Sequence, residues 1–220
     1  MLPASTVARK LLIAVTGQAM ILFVLFHIAG NSTIYFGKLN AYAAGLHAFP
    51  LLVWLARIVL GVGILLHIIY GIWLTFENSG ARPAPYAVAN ERAATFASKN
   101  MIWTGTLLGS FIVFHLLQFT VQVIHPSISA ARNADALGRP DVFMMVVKNF
   151  QNIGISVLYL LGVSALWLHL SHGIQSSFQT LGLNSERSFP AVKSGGKAAA
   201  IILLLSYAGI PAVIAAGMLK

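Results

Sequence analysis

The chain has 220 residues, of which 58% are apolar and only 9% are charged. Soluble domains are about a quarter charged, so this composition excludes an ordinary soluble domain. With no cysteine, the chain offers no thiolates for an iron–sulfur cluster and no site for covalent haem attachment. The net charge of +9 comes from basic residues that flank apolar runs, where they meet headgroups. Membrane lipid, and no nucleic acid, is therefore the predicted partner.

Five long apolar stretches follow one another along the chain. Uncharged runs of membrane-spanning length cover residues 11–37, 58–76, 100–131, 149–185 and 198–219. Proline, glycine and polar residues mark the connections between them, including a polar link over residues 182–196. The sequence predicts an all-α membrane protein with one domain over residues 1–220. Its five transmembrane helices are expected at about 9–37, 50–77, 99–125, 148–179 and 197–218.

The charge distribution predicts how the chain crosses the membrane. The first apolar run is too long for a secretory signal and has no evident small-residue cleavage site, so it is expected to stay as the first span. Eight Lys and Arg residues fall on the side of the N-terminus and six on the other side. The excess favours a cytoplasmic N-terminus in a multi-pass protein of the inner membrane of a prokaryote.

Histidines are the most informative residues, because a polar ring inside a membrane is costly and usually faces the bundle interior. Five of the seven lie within the predicted spans: His27, His67, His115, His169 and His172. At about 1.5 Å per residue, His27 and His115 lie roughly 25 Å from the N-terminal side, and His67 and His169 roughly 15 Å. A helix–helix hydrogen bond explains a single intramembrane histidine equally well. Four histidines at two matched depths instead indicate two pairs.

Paired imidazoles on different helices are the axial ligands of a six-coordinate b-type haem. The sequence therefore predicts two haem b groups enclosed by the bundle, one on His27 and His115 and one on His67 and His169. His172 shares a helical face with His169 and is the alternative ligand to the second iron. A di-iron site on this H-x-x-H pair is not expected, because the carboxylates of such sites are missing.

Polar residues beyond His27 form a second group of candidates, which consists of Asn31, Tyr35, His47 and Arg57. A quinone needs an apolar slot and hydrogen-bond donors for its carbonyls, and these residues can supply the donors. His47 and Arg57 are equally candidates for binding haem propionates. Alternatively, they lie at the membrane interface without a ligand.

Two stretches of sequence resemble a known family. They are HIIYGIWLTFENSGARP, which begins at His67, and HLSHGIQSSFQTLG, which begins at His169. Both resemble the cytochrome b subunit of succinate dehydrogenase and fumarate reductase, and the whole chain is similar to its single-chain, five-span, di-haem type. The resemblance implies that His67 and His169 bind the haem nearer the iron–sulfur partner and that His27 and His115 bind the distal haem. Where some relatives carry a glutamate two residues before the fourth-span ligand, this chain has Trp167.

The resemblance also implies partners and an activity. The chain would anchor a flavoprotein subunit and an iron–sulfur subunit and pass electrons between the latter and menaquinone or menaquinol. It would then be the quinone-reactive subunit of a respiratory enzyme, while dicarboxylate chemistry belongs to the flavoprotein and no catalytic residue lies on this chain. A dimer of the complex is compatible with this assignment.

The expected docking face consists of the N-terminus, residues 78–99 and residues 180–197. Its basic residues either hold lipid headgroups or pair with acidic groups on a partner. The candidates for such pairs are Arg82, Arg92, Arg187 and Lys193.

Two other functions remain open from the sequence. One is the haem b membrane subunit of another respiratory dehydrogenase, such as a formate dehydrogenase or a hydrogenase. The other is a haem-free transporter or proton channel that uses the histidines as a relay.

Overall fold

The structure is a computed structural model that describes residues 5–80 and 95–220. Within these residues it contains helices and no β-strand. Five helical segments are long and apolar enough to cross a membrane, which confirms the predicted all-helical, five-span class. These segments are Thr6–Phe36, Pro50–Gly80, Met101–Thr120, Ile153–Thr180 and Phe189–Ala215.

Eight α-helices and three short segments of other helical types make up the described chain. The α-helices are α1 (Thr6–Asn31), α2 (Leu39–His47), α3 (Pro50–Gly80), α4 (Phe96–Lys99), α5 (Met101–His115), α6 (Val142–Phe150), α7 (Ile153–Thr180) and α8 (Phe189–Ala215). A 3-10 segment, Ser32–Phe36, continues α1, and a π-helical turn, Leu116–Thr120, continues α5. The remaining 3-10 turn is Pro126–Ile128.

The third and fourth spans are shorter than the apolar runs predicted, for local reasons. The third unwinds through its π-helical turn and ends at Thr120 instead of 125, after which Gln122 takes a φ of 62°. The fourth begins at Ile153 instead of 148, because the preceding residues form the separate helix α6. Asn152 starts α7 by accepting hydrogen bonds from the backbone N–H groups of Gly154 and Ile155.

The last span is longer than predicted. It begins at Phe189 instead of 197, with Pro190 in its first turn, where a proline is well tolerated. Lys193 and Lys197 therefore lie on α8. Lys197 is the boundary of the uncharged run 198–219, but it is not the boundary of the helix. Long basic side chains can extend from a membrane helix toward the headgroups, so the charge and the helix end need not coincide.

Helix α7 lies at the centre of the bundle, because it packs against α8, α5 and α1, while α3 packs mainly on α1. Buried apolar residues of α7 and α8 belong to one core cluster, among them Leu170, Ala200, Leu203 and Ile214. By contrast, α3 exposes most of its apolar side chains, which is the pattern of a helix that faces lipid.

The two ends of the bundle are closed by different polar contacts. At the N-terminal face, where α1 begins and α3 ends, Arg9 pairs with Glu77 at 2.5 Å. Arg9 is only 8% exposed, so this cation serves a helix–helix contact as well as the charge balance of that face. At the opposite face, Asn40 of α2 donates to Asp135 and Asp141 and accepts from the backbone N–H of Phe143.

Candidate cofactor site

The interior of the bundle contains two pairs of histidine rings. The rings of His27 and His115 have centroids 5.9 Å apart, and those of His67 and His169 have centroids 6.2 Å apart. These are the partners that the matched depths had paired. We call His67 and His169 the inner pair and His27 and His115 the outer pair. Each pair joins two different spans.

The separation of the rings is compatible with two ligands to a single ion. Two imidazoles that bind one metal ion from opposite sides, through nitrogens about 2.0–2.1 Å away, have centroids roughly 6–6.5 Å apart. Both pairs lie in or at the edge of this range. For such binding, the lone pair of each ring must be on the nitrogen that faces the ion, so the tautomer of each ring matters.

In the inner pair, neighbouring oxygens fix the hydrogen of both rings on Nδ1. Nδ1 of His67 lies 3.1 Å from the carbonyl oxygen of Ile13, which can only accept. It also lies 3.2 Å from Oγ1 of Thr16, whose own hydrogen goes to a backbone carbonyl. Nδ1 of His169 lies 3.3 Å from Oγ1 of Thr104, which likewise donates to backbone carbonyls. A neutral ring then carries its lone pair on Nε2.

In the outer pair, His115 is held by Tyr159. The Tyr159 hydroxyl donates to Oε1 of Gln118 at 2.7 Å and lies 3.2 Å from Nδ1 of His115. Because the hydroxyl hydrogen is used on Gln118, the oxygen accepts from His115. This ring therefore also carries its lone pair on Nε2.

The hydrogen bonds continue from Gln118 toward the opposite face of the bundle. Gln118 donates to Oδ1 of Asn149 at 2.7 Å, and Nδ1 of the exposed His125 lies 2.8 Å from the same oxygen. Asn149 donates in turn to the carbonyl of Met145. Gln118 and Asn149 are 3% and 2% exposed, so their polar atoms depend on neighbouring side chains and backbone groups for hydrogen bonds.

His27 reaches the same tautomer by a different contact. Its Nε2 lies 3.2 Å from the amide nitrogen of Asn31, which donates, so the lone pair is on Nε2 but is used by this hydrogen bond. Asn31 would have to release Nε2 before His27 could bind an ion. The ring stacks on Phe23 and lies near Tyr207. The lone pair is thus on Nε2 in all four predicted ligands, but only in His67, His169 and His115 does an oxygen hold the Nδ1–H and leave Nε2 without a hydrogen-bond partner among the described residues.

His172 has the opposite arrangement. The side-chain amide of Gln175 donates to Nδ1 of His172 at 3.2 Å, which leaves the hydrogen of a neutral ring on Nε2. Its ring makes no aromatic contact with His67, whereas the ring of His169 does. The geometry therefore favours His169 as the partner of His67.

The other predicted site residues are divided between the interior and the surface. Asn31 touches the outer pair through its bond to His27, and the exposed Tyr35 places its hydroxyl against α8 at Gly209. His47 is exposed and bonds to the carbonyl of Ala43, while the guanidinium of Arg57 lies over the ring of Trp54. The structure does not bring His47 or Arg57 to either pair.

Sequence reasoning missed the residues that hold the rings. Tyr159 and Gln118 are on different helices and 41 positions apart, so no local pattern connects them. The sequence does contain a pattern that could have indicated Thr16 and Thr104, because each precedes a glycine and lies eleven positions before an outer-pair histidine. Trp167, two positions before His169, packs against the apolar core.

The donor set limits what each pair can bind. Among the described residues, no group of three or more His, Cys, Asp or Glu side chains is placed to hold a metal ion. Each pair supplies two neutral nitrogens and no negative charge. It therefore suits an ion whose remaining ligands and charge come from a bound macrocycle and not from the protein.

Comparison with known proteins gives no match. No protein-family model matches the chain, and no curated protein or solved structure does so. The residues and their geometry are thus the basis for inferring what this membrane protein does.

Proposed function

We propose that this chain is the di-haem cytochrome b anchor of a succinate:quinone oxidoreductase. It carries electrons between menaquinone or menaquinol and an iron–sulfur subunit, and a flavoprotein subunit performs the succinate or fumarate chemistry. In this proposal, His67 and His169 bind the inner haem, and His27 and His115 bind the outer haem.

One observation carries the proposal, namely two pairs of neighbouring imidazoles on different spans, in which an oxygen holds the Nδ1–H of His67, His169 and His115. Centroids 5.9 and 6.2 Å apart also occur in edge-to-face packing, but two such pairs on four spans suit two ions better than four unrelated packing contacts. A haem with both axial positions filled supplies reversible one-electron transfer and leaves no position for oxygen or substrate. The protein's part is to hold the four rings in place and to keep water from them.

Residues at the two ends of the bundle suit the two proposed electron-transfer partners, a docked subunit and a quinol. The exposed Arg187 and the half-buried Lys193 lie near the N-terminal face and suit the acidic surface of a docked subunit, while Arg82 and Arg92 lie outside the described residues. Asn31 and Tyr35 lie on the outer side and offer hydrogen bonds to a quinol. Oxidation of a quinol there releases two electrons and two protons.

The proposal is tested on the complex purified from native membranes, with its subunits identified. We expect two b-type haems per chain, two steps in a redox titration of the visible spectrum, and co-purified flavoprotein and iron–sulfur subunits. His27→Ala should remove the outer haem and leave the inner one, and His67→Ala should do the reverse. His47→Ala is the matched control, because His47 is exposed and bonds to the carbonyl of Ala43 and not to either pair.

Each other outcome points to a different protein. A complex that contains two haems and a formate dehydrogenase or hydrogenase partner would replace the proposed enzyme but keep the haem sites. A colourless preparation from cells with ample haem would refute the haem sites and leave the histidine relay.

A further inference from the structure

Two spans share a pattern that relates them to both pairs of rings. Thr16 and Gly17 lie on α1, and Gly17 is ten positions before His27. Thr104 and Gly105 lie on α5, and Gly105 is ten positions before His115. Each of these helices thus carries a threonine, a glycine and, about 15 Å further along, an outer-pair histidine.

Both threonine–glycine pairs contact an inner-pair ring from another span. Thr16 Oγ1 lies 3.2 Å from Nδ1 of His67, and Thr104 Oγ1 lies 3.3 Å from Nδ1 of His169. A Cβ placed on Gly17 would lie 3.3 Å from Cε1 and 3.7 Å from Nδ1 of His67. A Cβ placed on Gly105 would meet the same atoms of His169 at the same two distances. The two contacts are therefore equivalent, although they involve different helix pairs.

The glycines explain how the rings reach their acceptors. A side chain at either position would have to push the imidazole back by a few tenths of an ångström. The ring would then move away from the threonine oxygen that accepts its hydrogen. A glycine inside a helix lowers stability by roughly 0.5–1 kcal/mol relative to alanine. The room that the two rings need accounts for a glycine at both contact points.

We propose that Thr16, Gly17, Thr104 and Gly105, which we call the threonine–glycine cradle, are positioning residues for the inner haem ligands. This inference rests on the proposed function. The threonine oxygens fix the Nδ1–H tautomer and the plane of each ring, and the glycines admit the rings. An acceptor on Nδ1–H also makes the imidazole a stronger electron donor, which favours the oxidised iron and lowers its potential.

The two threonines do not contribute equally. Nδ1 of His67 has a second acceptor, the carbonyl oxygen of Ile13 at 3.1 Å, which no side-chain substitution removes. Thr104 is the acceptor that the structure gives for Nδ1 of His169. Loss of the Thr104 hydroxyl should therefore have the larger effect.

The test is a redox titration of the purified complex, in which the inner haem is the one that His27→Ala leaves in place. We expect Thr104→Val to shift the inner potential to a more positive value and to change the low-spin electron paramagnetic resonance signal of that haem. Thr16→Val should cause a smaller shift of the same sign. Thr104→Ser keeps the hydroxyl and should restore the wild-type potential.

Matched controls lie on the same helix. Thr106 is exposed two positions from Thr104 and bonds only within α5, so Thr106→Val should leave both potentials unchanged. Gly105→Ala should weaken inner haem retention, whereas Gly109→Ala should not, because a Cβ at Gly109 meets Ile68 at an ordinary 4.0 Å.

Different results would refute the threonine–glycine cradle and the proposed function on which it rests. A wild-type complex without two b haems refutes the proposed function itself. A normal wild-type complex in which Thr104→Val leaves the inner potential and spectrum unchanged refutes the cradle alone. An equal shift in Thr106→Val also refutes it, because the effect would then not come from the bond to His169.

Discussion

Tyr159 shows how one hydroxyl group can connect the half-buried ring of His115 to the rest of the protein. Its oxygen accepts from His115 and its hydrogen goes to Gln118, and the residue is only 6% exposed. Phe111, Phe119 and Phe150 surround the ring, so no other polar partner is provided. Any change in this hydroxyl therefore affects both of its neighbours.

We expect Tyr159→Phe to shift the outer haem potential to a more positive value, because His115 loses the acceptor of its Nδ1–H. The substitution also leaves Oε1 of Gln118 without its donor, at a cost of about 1–3 kcal/mol of stability. Redox titration measures the first effect, and thermal unfolding of the purified complex measures the second.

Tyr207→Phe is the control for this prediction. Tyr207 is also near the outer pair, but its hydroxyl donates to the backbone carbonyl of Val24 and not to a ring nitrogen. It should lower stability without moving the outer potential. A shift of the same size in both variants would mean that Tyr159 acts through packing alone.

Among the elements, the sequence predicted which segments cross the membrane better than where they end. Lipid requires long apolar helices, so five uncharged runs were enough to find five spans. The ends depend on local contacts that charge does not reveal, such as the Asn152 cap that separates α6 from α7. The π-helical turn places Gln118 toward Tyr159 and Asn149, which are distant in sequence, and no periodicity could predict that.

The loop before α6 is held by Asp135, and this gives a prediction for its pH dependence. The guanidinium of Arg139 donates to Oδ2 of Asp135 at 2.8 Å, and the backbone N–H groups of Leu137 and Arg139 donate to Oδ1. The bond from Arg139 is the main cause that lowers the pKa of Asp135 from 3.8 to about 2.

Because the folded pKa is lowered, the carboxylate stabilises the closed loop above its ordinary pKa, and this contribution is lost as the pH falls through about 2. Arg139→Gln should raise the pKa toward the ordinary value and move loop opening upward with it. Carboxyl-carbon magnetic resonance of Asp135 and hydrogen exchange of residues 133–141 measure the two changes. Arg132→Gln, at an exposed position, should change neither; an unchanged pKa in Arg139→Gln would contradict the assignment.

At the scale of the whole molecule, helix direction and histidine depth were enough to predict which rings meet. They could do so because lipid fixes the height of each residue, so the pairs of His27 with His115 and of His67 with His169 need no side-chain information. Depth carries no information about what lies beside a ring. The acceptors of the Nδ1–H groups, and the bond that distinguishes His172, come from contacts between helices.

The helices that carry the two histidine pairs are not equally well packed in the bundle. The outer pair lies on α1 and α5, while the inner pair lies on α7 and on the largely exposed α3. Helix α3 is fixed on α1 at its far end by the ion pair of Glu77 with Arg9, where Thr6 also donates to Glu77 at 3.1 Å. The position of His67 therefore depends on this contact in a way that the position of His27 does not.

We expect Glu77→Gln to lower inner haem content while outer haem content stays near that of the wild type. Arg9 is buried and would lose a charged partner, but Glu77 is 38% exposed, so the cost to stability should be about 1–2 kcal/mol and less than for a fully buried pair. Haem content and the two redox steps of the purified complex measure the result. Arg57→Gln is the matched control, because Arg57 lies on the same helix, exposed and stacked on Trp54 at the other end. Equal loss of both haems would show that the ion pair supports the bundle as a whole, and loss of neither would show that α3 is held in place without it.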